Sequence, residues 1–142
     1  ASMDALVRSF PHLRLQQLTV AGCPVGCAAA FTRILRACTA RHSLRLARCS
    51  VMDDSAVRTA ALNCGSRLWH LDLMYCAGVT KVALLQLAPA CTALCDLMLL
   101  NSAAVTDTYL RALDRHCARL QQSAFSFTSL ITDAGVTALA QG

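Results

Sequence analysis

Nine cysteines and four histidines are the residues of this 142-residue chain with the most chemistry to offer. Cys23-x3-Cys27 and Cys91-x3-Cys95 have spacings that zinc can use, and His116-Cys117 adds two further donor types. A zinc site needs four ligands converging on one point. In the register developed below, Cys23 and Cys91 point into the core of different units and Cys27 lies on a turn, so packing is the expected role and no metal or cofactor is expected. Nucleophilic catalysis would require Ser or Cys beside a base that a third group orients. Of His12, His42, His70 and His116, only His70 has an acid at the matching place one unit later, Asp96. No nucleophile or Gly-rich elbow accompanies them, so a surface ion pair is expected and no catalytic residue is assigned. The six glycines are isolated, which leaves no phosphate-cradling loop.

The rest of the composition narrows the class. The chain is 56% hydrophobic and 15% charged, enough apolar surface for a core and no disorder signature. Its net charge is +5, and every base except Lys81 is an arginine, scattered from Arg8 to Arg119 without a run. A nucleic-acid arm would cluster them, so no nucleic acid is expected as a partner. Nine cysteines could form a disulfide framework in a secreted protein, but the count is odd and the first residues lack a signal-peptide pattern. Reduced thiols buried as small hydrophobes point to the cytoplasm or nucleus. The apolar segment Val82–Leu100 contains Gln86, Pro89 and Asp96, and it fits the repeat register, so no membrane span is expected.

The elements that position these residues come from an internal repeat. Cys38, Cys64, Cys91 and Cys117 are separated by 26, 27 and 26 residues. A second series, Cys23, Cys49 and Cys76, continues at Ser102 and Thr128. Each member of the second series follows an alternating segment: Leu18–Val20, Leu44–Leu46, Leu71–Leu73, Leu97–Leu99 and, more weakly, Ser123–Phe125. Period two means a strand with one buried face. Beyond it the spacing turns helical, with Phe31, Val57, Leu84, Leu110 and Val136 three residues ahead of Ile34, Ala60, Leu87, Leu113 and Leu139. Asp53, Thr80, Thr106 and Thr132 stand before these helices as N-caps, and Asp107 and Asp133 place an acid in a first turn. A unit of this size cannot bury its own apolar face, so units stack and share one core. The expected units are about 13–38, 39–64, 65–91, 92–117 and 118–142, with 1–12 closing an earlier unit. Neither end carries a polar cap, so either a fragment of a longer array or ends covered by a partner is expected.

The unit Leu68-x-x-Leu71-x-Leu73-x-x-Cys76-x-x-Val79-Thr80-x-x-x-Leu84-x-x-Leu87-Ala88-x-x-Cys91 resembles the cysteine-containing class of leucine-rich repeat. That class is typical of F-box/leucine-rich-repeat proteins and of the F-box-like repeat subunits of the ciliary dynein regulatory complex. The resemblance runs from Leu15 to the end. It departs at Arg41, at Lys81 in place of Asp, at Ser123, and at Pro24-Val25-Gly26-Cys27 in the first unit. It implies an α/β solenoid with short parallel strands on a concave face and helices on a convex face. It also implies a non-enzymatic scaffold: either the substrate-holding repeats of a ubiquitin-ligase receptor, whose adaptor would bind a domain outside this chain, or a structural subunit wedged among neighbours in a cytoskeletal or ciliary assembly.

The register maps the face that would bind a protein partner. Outward strand residues form the rows Gln17, Ser43, His70, Asp96, Gln122 and Thr19, Arg45, Asp72, Met98, Ala124, then Ala21, Ala47, Met74, Leu100, Ser126. At the edge beyond come Gly22, Arg48, Tyr75, Asn101 and Phe127. Met74, Tyr75, Met98, Leu100 and Phe127 would form an exposed patch, flanked by Arg45 and Arg48 and containing His70, Asp72 and Asp96. Exposed Met and aromatic clusters mark interaction sites, or else pack within the same protein. Trp69 is expected on the inward side or at the strand's start, packing rather than stacking on a ligand.

Overall fold

The computed structural model describes residues 16–37, 43–100, 102–126 and 129–141. Strands and helices alternate along it: β1 (Gln17–Thr19), α1 (Ala28–Ala37), β2 (Ser43–Arg45), α2 (Asp54–Cys64), β3 (His70–Asp72), α3 (Lys81–Leu87), β4 (Asp96–Leu99), α4 (Asp107–His116), β5 (Gln122–Phe125) and α5 (Asp133–Gln141). Single 3-10 turns, Val25–Cys27 and Gly65–Arg67, precede α1 and follow α2. The strands form one parallel sheet in the order β1-β2-β3-β4-β5. Every crossover therefore steps one strand onward in the same direction, which places all the helices on one side of the sheet. No helix among the described residues is long and apolar enough to cross a membrane, and Val82–Leu100 is divided between α3, a turn and β4.

Pairing follows the rows read from the spacing: Gln17 opposite Ser43, Ser43 opposite His70, His70 opposite Asp96 and Asp96 opposite Gln122. The alternate residues Leu44, Leu71 and Leu97 are fully buried beneath the helices. There they meet Phe31, Val57, Leu84, Leu110 and Leu113 in a core that runs through the units. Each such leucine contributes about 1.5–3 kcal/mol of transfer free energy. Ser123, the departure in β5, is exposed where its counterparts are leucines.

Helix starts are fixed as the residue types require. An Asp53 carboxylate oxygen accepts from the Ala56 amide at 2.8 Å, and Thr80 and Thr106 accept from Val82 and Tyr109 at 3.2 and 3.3 Å. Two of the first-turn acids do more than meet a helix dipole. Asp54 accepts from both the amide and the hydroxyl of Thr80 at 2.8 and 2.6 Å, and Asp107 does the same with Thr132 at 2.8 and 2.5 Å. These bonds tie α2 to the turn before α3, and α4 to the turn before α5. Lys81 occupies the same position in α3 and has no acceptor to offer, and α3 and α4 are the least closely packed of the neighbouring helix pairs. The Thr132 hydroxyl, and after it the Thr132 amide, hold the Asp107 carboxyl below the usual carboxylate range. Its contribution is therefore present above the ordinary carboxylate pKa and is lost as the pH falls through the lowered one. Gly135 serves this tie, because a Cβ there would collide with the Asp107 carboxylate.

The cysteines also link units. The Cys49 thiol donates to the Val20 carbonyl at 3.3 Å and the Cys76 thiol to the Leu46 carbonyl at 3.0 Å, each reaching back one strand. At the helix ends, the Cys64 thiol donates within its own helix to Ala60 at 3.0 Å, and Cys117 reaches the Cys91 carbonyl at 3.5 Å. Burial pushes the Cys76 and Cys117 thiols up to about 11. The S–H proton needed for donation is thereby retained at neutral pH. All the described cysteines are free thiols, and Cys38 lies outside the described residues.

Candidate functional site

The side of the sheet away from the helices gathers the polar and aromatic side chains that the spacing singles out, and hydrogen-bond accounting divides them. His70 Nδ1 lies 2.6 Å from Asp96 Oδ2. The His70 side chain is 5% exposed and that of Asp96 is 19%, so the ion pair expected from the register forms with His70 buried and Asp96 half-buried, not at an open surface. Its other nitrogen, Nε2, accepts from the Arg45 Nε–H at 3.2 Å. An arginine cannot give up its proton to become the acceptor, so Nε2 must be the unprotonated nitrogen and Nδ1 must donate to Asp96. The result is a chain across three strands, from a cation through a neutral imidazole to an anion.

That chain also bears on chemistry. In a nucleophile–histidine–acid arrangement, Nε2 faces the nucleophile and takes its proton. Here Arg45 occupies that nitrogen. Trp69 stands against the imidazole, ring centroids 5.9 Å apart at 58°. Trp69 is 42% exposed, so of the two placements expected for it the strand's start is the one found: it stands just before β3 and packs on His70, not inward. Asp72 is likewise committed, with one carboxylate oxygen accepting from the Met74 amide at 2.9 Å and 9% of the residue exposed. Ser43, level with His70 on β2, is buried too. The second carboxylate oxygen of Asp96 is buried and lacks a partner among the described residues.

The other edge of this face is different. Backbone bonds continue beyond the strands, from the Gly22, Arg48 and Tyr75 amides to the carbonyls of Ala47, Met74 and Leu100 at 3.1, 2.8 and 3.0 Å. All three donors have positive φ, 69°, 57° and 59°. The turn from strand to cysteine corner requires this left-handed step in each of these units. Gly22 takes it without a Cβ clash, whereas Arg48 and Tyr75 each cost roughly 1–2 kcal/mol. The Arg48 guanidinium carbon lies 5.2 Å from the centroid of the Tyr75 ring. Tyr75 is nonetheless 47% exposed and Arg48 is exposed. Met74, Met98 and Leu100 are half-buried, so the apolar patch is thinner than the register alone suggests. Phe127, assigned to the same patch, lies outside the described residues.

The residues singled out from the sequence therefore fall into two groups. Arg45, His70, Asp72 and Asp96 hold one another or the backbone, and Arg48, Tyr75, Met74, Met98 and Leu100 form the available rim. Sequence reasoning missed the Arg45–His70 bond and the Trp69–His70 packing. The signal for the first was present, since Arg45 and His70 are on adjacent strands two residues out of level. As for metals, no group of three or more His, Cys, Asp or Glu converges among the described residues. Burial, and then the neighbouring Cys27 and Cys49, push the Cys23 thiol up to about 11. No protein-family model matches the chain.

Proposed function

We propose that this chain is a non-enzymatic protein-binding scaffold, a stretch of cysteine-containing leucine-rich-repeat solenoid whose open sheet face is concave and receives a protein partner. The observation that carries the reading is the Tyr75 rim. A tyrosine with 47% of its surface exposed is held in a costly backbone conformation beneath an arginine, with Met74 and Leu100 beside it. Tyr and Arg are the side chains most enriched where interfaces draw their affinity, and a preset Tyr–Arg pair loses little entropy on binding. The alternation of strand and helix and the thiol links between units support the repeat assignment. The resemblance to F-box/leucine-rich-repeat proteins suggests that the partner is a substrate held for ubiquitin transfer in the cytoplasm or nucleus, with the ligase adaptor bound by a domain outside this chain.

A second reading has an observation of its own. Leu62 and Val82, on the helix side, are 81% and 53% exposed, as befits a subunit packed on both faces within a large cytoskeletal assembly such as the axonemal nexin–dynein regulatory complex. Affinity purification of the full-length protein from its native cells, with mass spectrometry of what co-purifies, separates the two. A ligase adaptor and cullin support the receptor, and stoichiometric axonemal or cytoskeletal proteins without a ligase support the structural subunit. Recovery of neither would sink both.

A further inference from the structure

The helix side of the sheet carries a feature independent of the Tyr75 rim. Between α2 and α3 runs a half-open cleft of about 320 Å³, lined by Val57, Ala61 and Leu62 from α2, by Ala83 and Leu87 from α3, and by Ala90. Its volume is at the small end for a ligand cleft and suits one or two side-chain anchors. Leu62 is the most exposed large apolar residue described, at 81%. It occupies a repeat position held by Arg36, Pro89 and Arg115 in other units, so the repeat itself does not call for an apolar residue there.

Arg58 is the charged side chain that lines the cleft, and the surrounding helices are mostly basic. α1, α2 with its cap and following turn, and α3 together carry Arg33, Arg36, Arg58, Arg67 and Lys81 against two acids, Asp53 and Asp54, the first of which accepts from the Ala56 amide. Both Asp54 carboxylate oxygens are already taken by Thr80. Arg58 itself lines the cleft, and Arg36 holds the position matching Leu62 on the neighbouring helix. Both are exposed, and neither meets an acid among the described residues. Arg58 and Arg36, which meet no acid among the described residues, complement a segment that offers leucine-type anchors on one side and carboxylates on the other.

We propose that the α2–α3 cleft docks an acidic amphipathic helix of a partner protein, its apolar side against Leu62 and its acids toward Arg58 and Arg36. Two parallel helices present the groove that a third helix fills, read by anchors at i, i+3 and i+7. The site is separate from the sheet face, so a partner could be held at both at once.

The test uses the 142-residue chain and a fluorescein-labelled helical peptide of about 18 residues with leucines on one side and glutamates elsewhere. Fluorescence anisotropy should show saturable binding that weakens about tenfold in Leu62→Glu, a residue too exposed for the change to disturb folding. Arg58→Ala should weaken it about threefold at low salt, an effect that fades as salt rises. Tyr75→Gly should leave it unchanged, which keeps this proposal distinct from the sheet-face reading. Absence of saturable binding, equal binding of a lysine-for-glutamate peptide, or unchanged affinity in Leu62→Glu would each overturn the proposal. So would Leu62-dependent pelleting with phosphatidylserine vesicles, or Leu62-dependent dimerisation in sedimentation, when the peptide does not bind.

Discussion

The His70 row and the Tyr75 rim lie on the same strands, on the same side of the sheet, a few residues apart, and both are rich in the side chains from which interfaces are built. They differ in where their hydrogen bonds and exposure go. His70 spends both ring nitrogens inside the protein, on Arg45 and Asp96, and is buried. Tyr75 spends only its backbone amide there, on Leu100, and leaves its ring in the open with Arg48 above it. A polar cluster on a sheet face is a binding site only after its internal bonds have been subtracted. By that subtraction the first row holds the strands together, and the second keeps its side chains exposed.

The sharpest way to break the comparison is Asp96→Ala. It leaves the His70 N–H buried without an acceptor and should cost about 2–4 kcal/mol in denaturant unfolding. A cost near zero would mean that the row is not structural. The double variant Asp96→Ala/His70→Leu sharpens the same point. With donor and acceptor both gone, the two losses should fall short of additive by about 1–3 kcal/mol. Arg45→Ala removes an exposed side chain that donates to His70 Nε2, and the expected loss is smaller, about 0.5–1.5 kcal/mol, read from the same curves. Tyr75→Gly should change stability least. Relief of the left-handed backbone, roughly 1–2 kcal/mol, offsets the loss of an exposed cation–π contact of about 0.5–1 kcal/mol.

The fold was more legible in the sequence than this division. Register could be read because each unit repeats its spacing, so Leu44, Leu71 and Leu97 announce a shared buried side and His70 is placed opposite Asp96. Burial of His70 could not be read, because it depends on Trp69 and Arg45 covering the imidazole from two neighbouring places. Periodicity says which way a side chain starts out and nothing about what closes over it. The cysteines show the same limit. Their spacing marks small corner residues, while their role as thiol donors to the preceding unit depends on carbonyls such as Leu46 O, which no side-chain pattern encodes. Thr80 and Thr132 read as caps, yet their bonds to Asp54 and Asp107 run between units, visible only once the helices are stacked. The left-handed step at Arg48 and Tyr75 left one trace, Gly22 at the matching position of the first unit.

Whether the Tyr75 rim holds a partner is read from the amount of partner retained per mole of purified full-length protein, compared between wild type and Tyr75→Gly after matched unfolding curves show both equally folded. The variant should keep its stability and lose most of the bound partner, at least about tenfold for an anchor worth about 1.4 kcal/mol or more. Retention at the wild-type level by an equally stable Tyr75→Gly protein would contradict that expectation, and would show that the rim does not bind the partner.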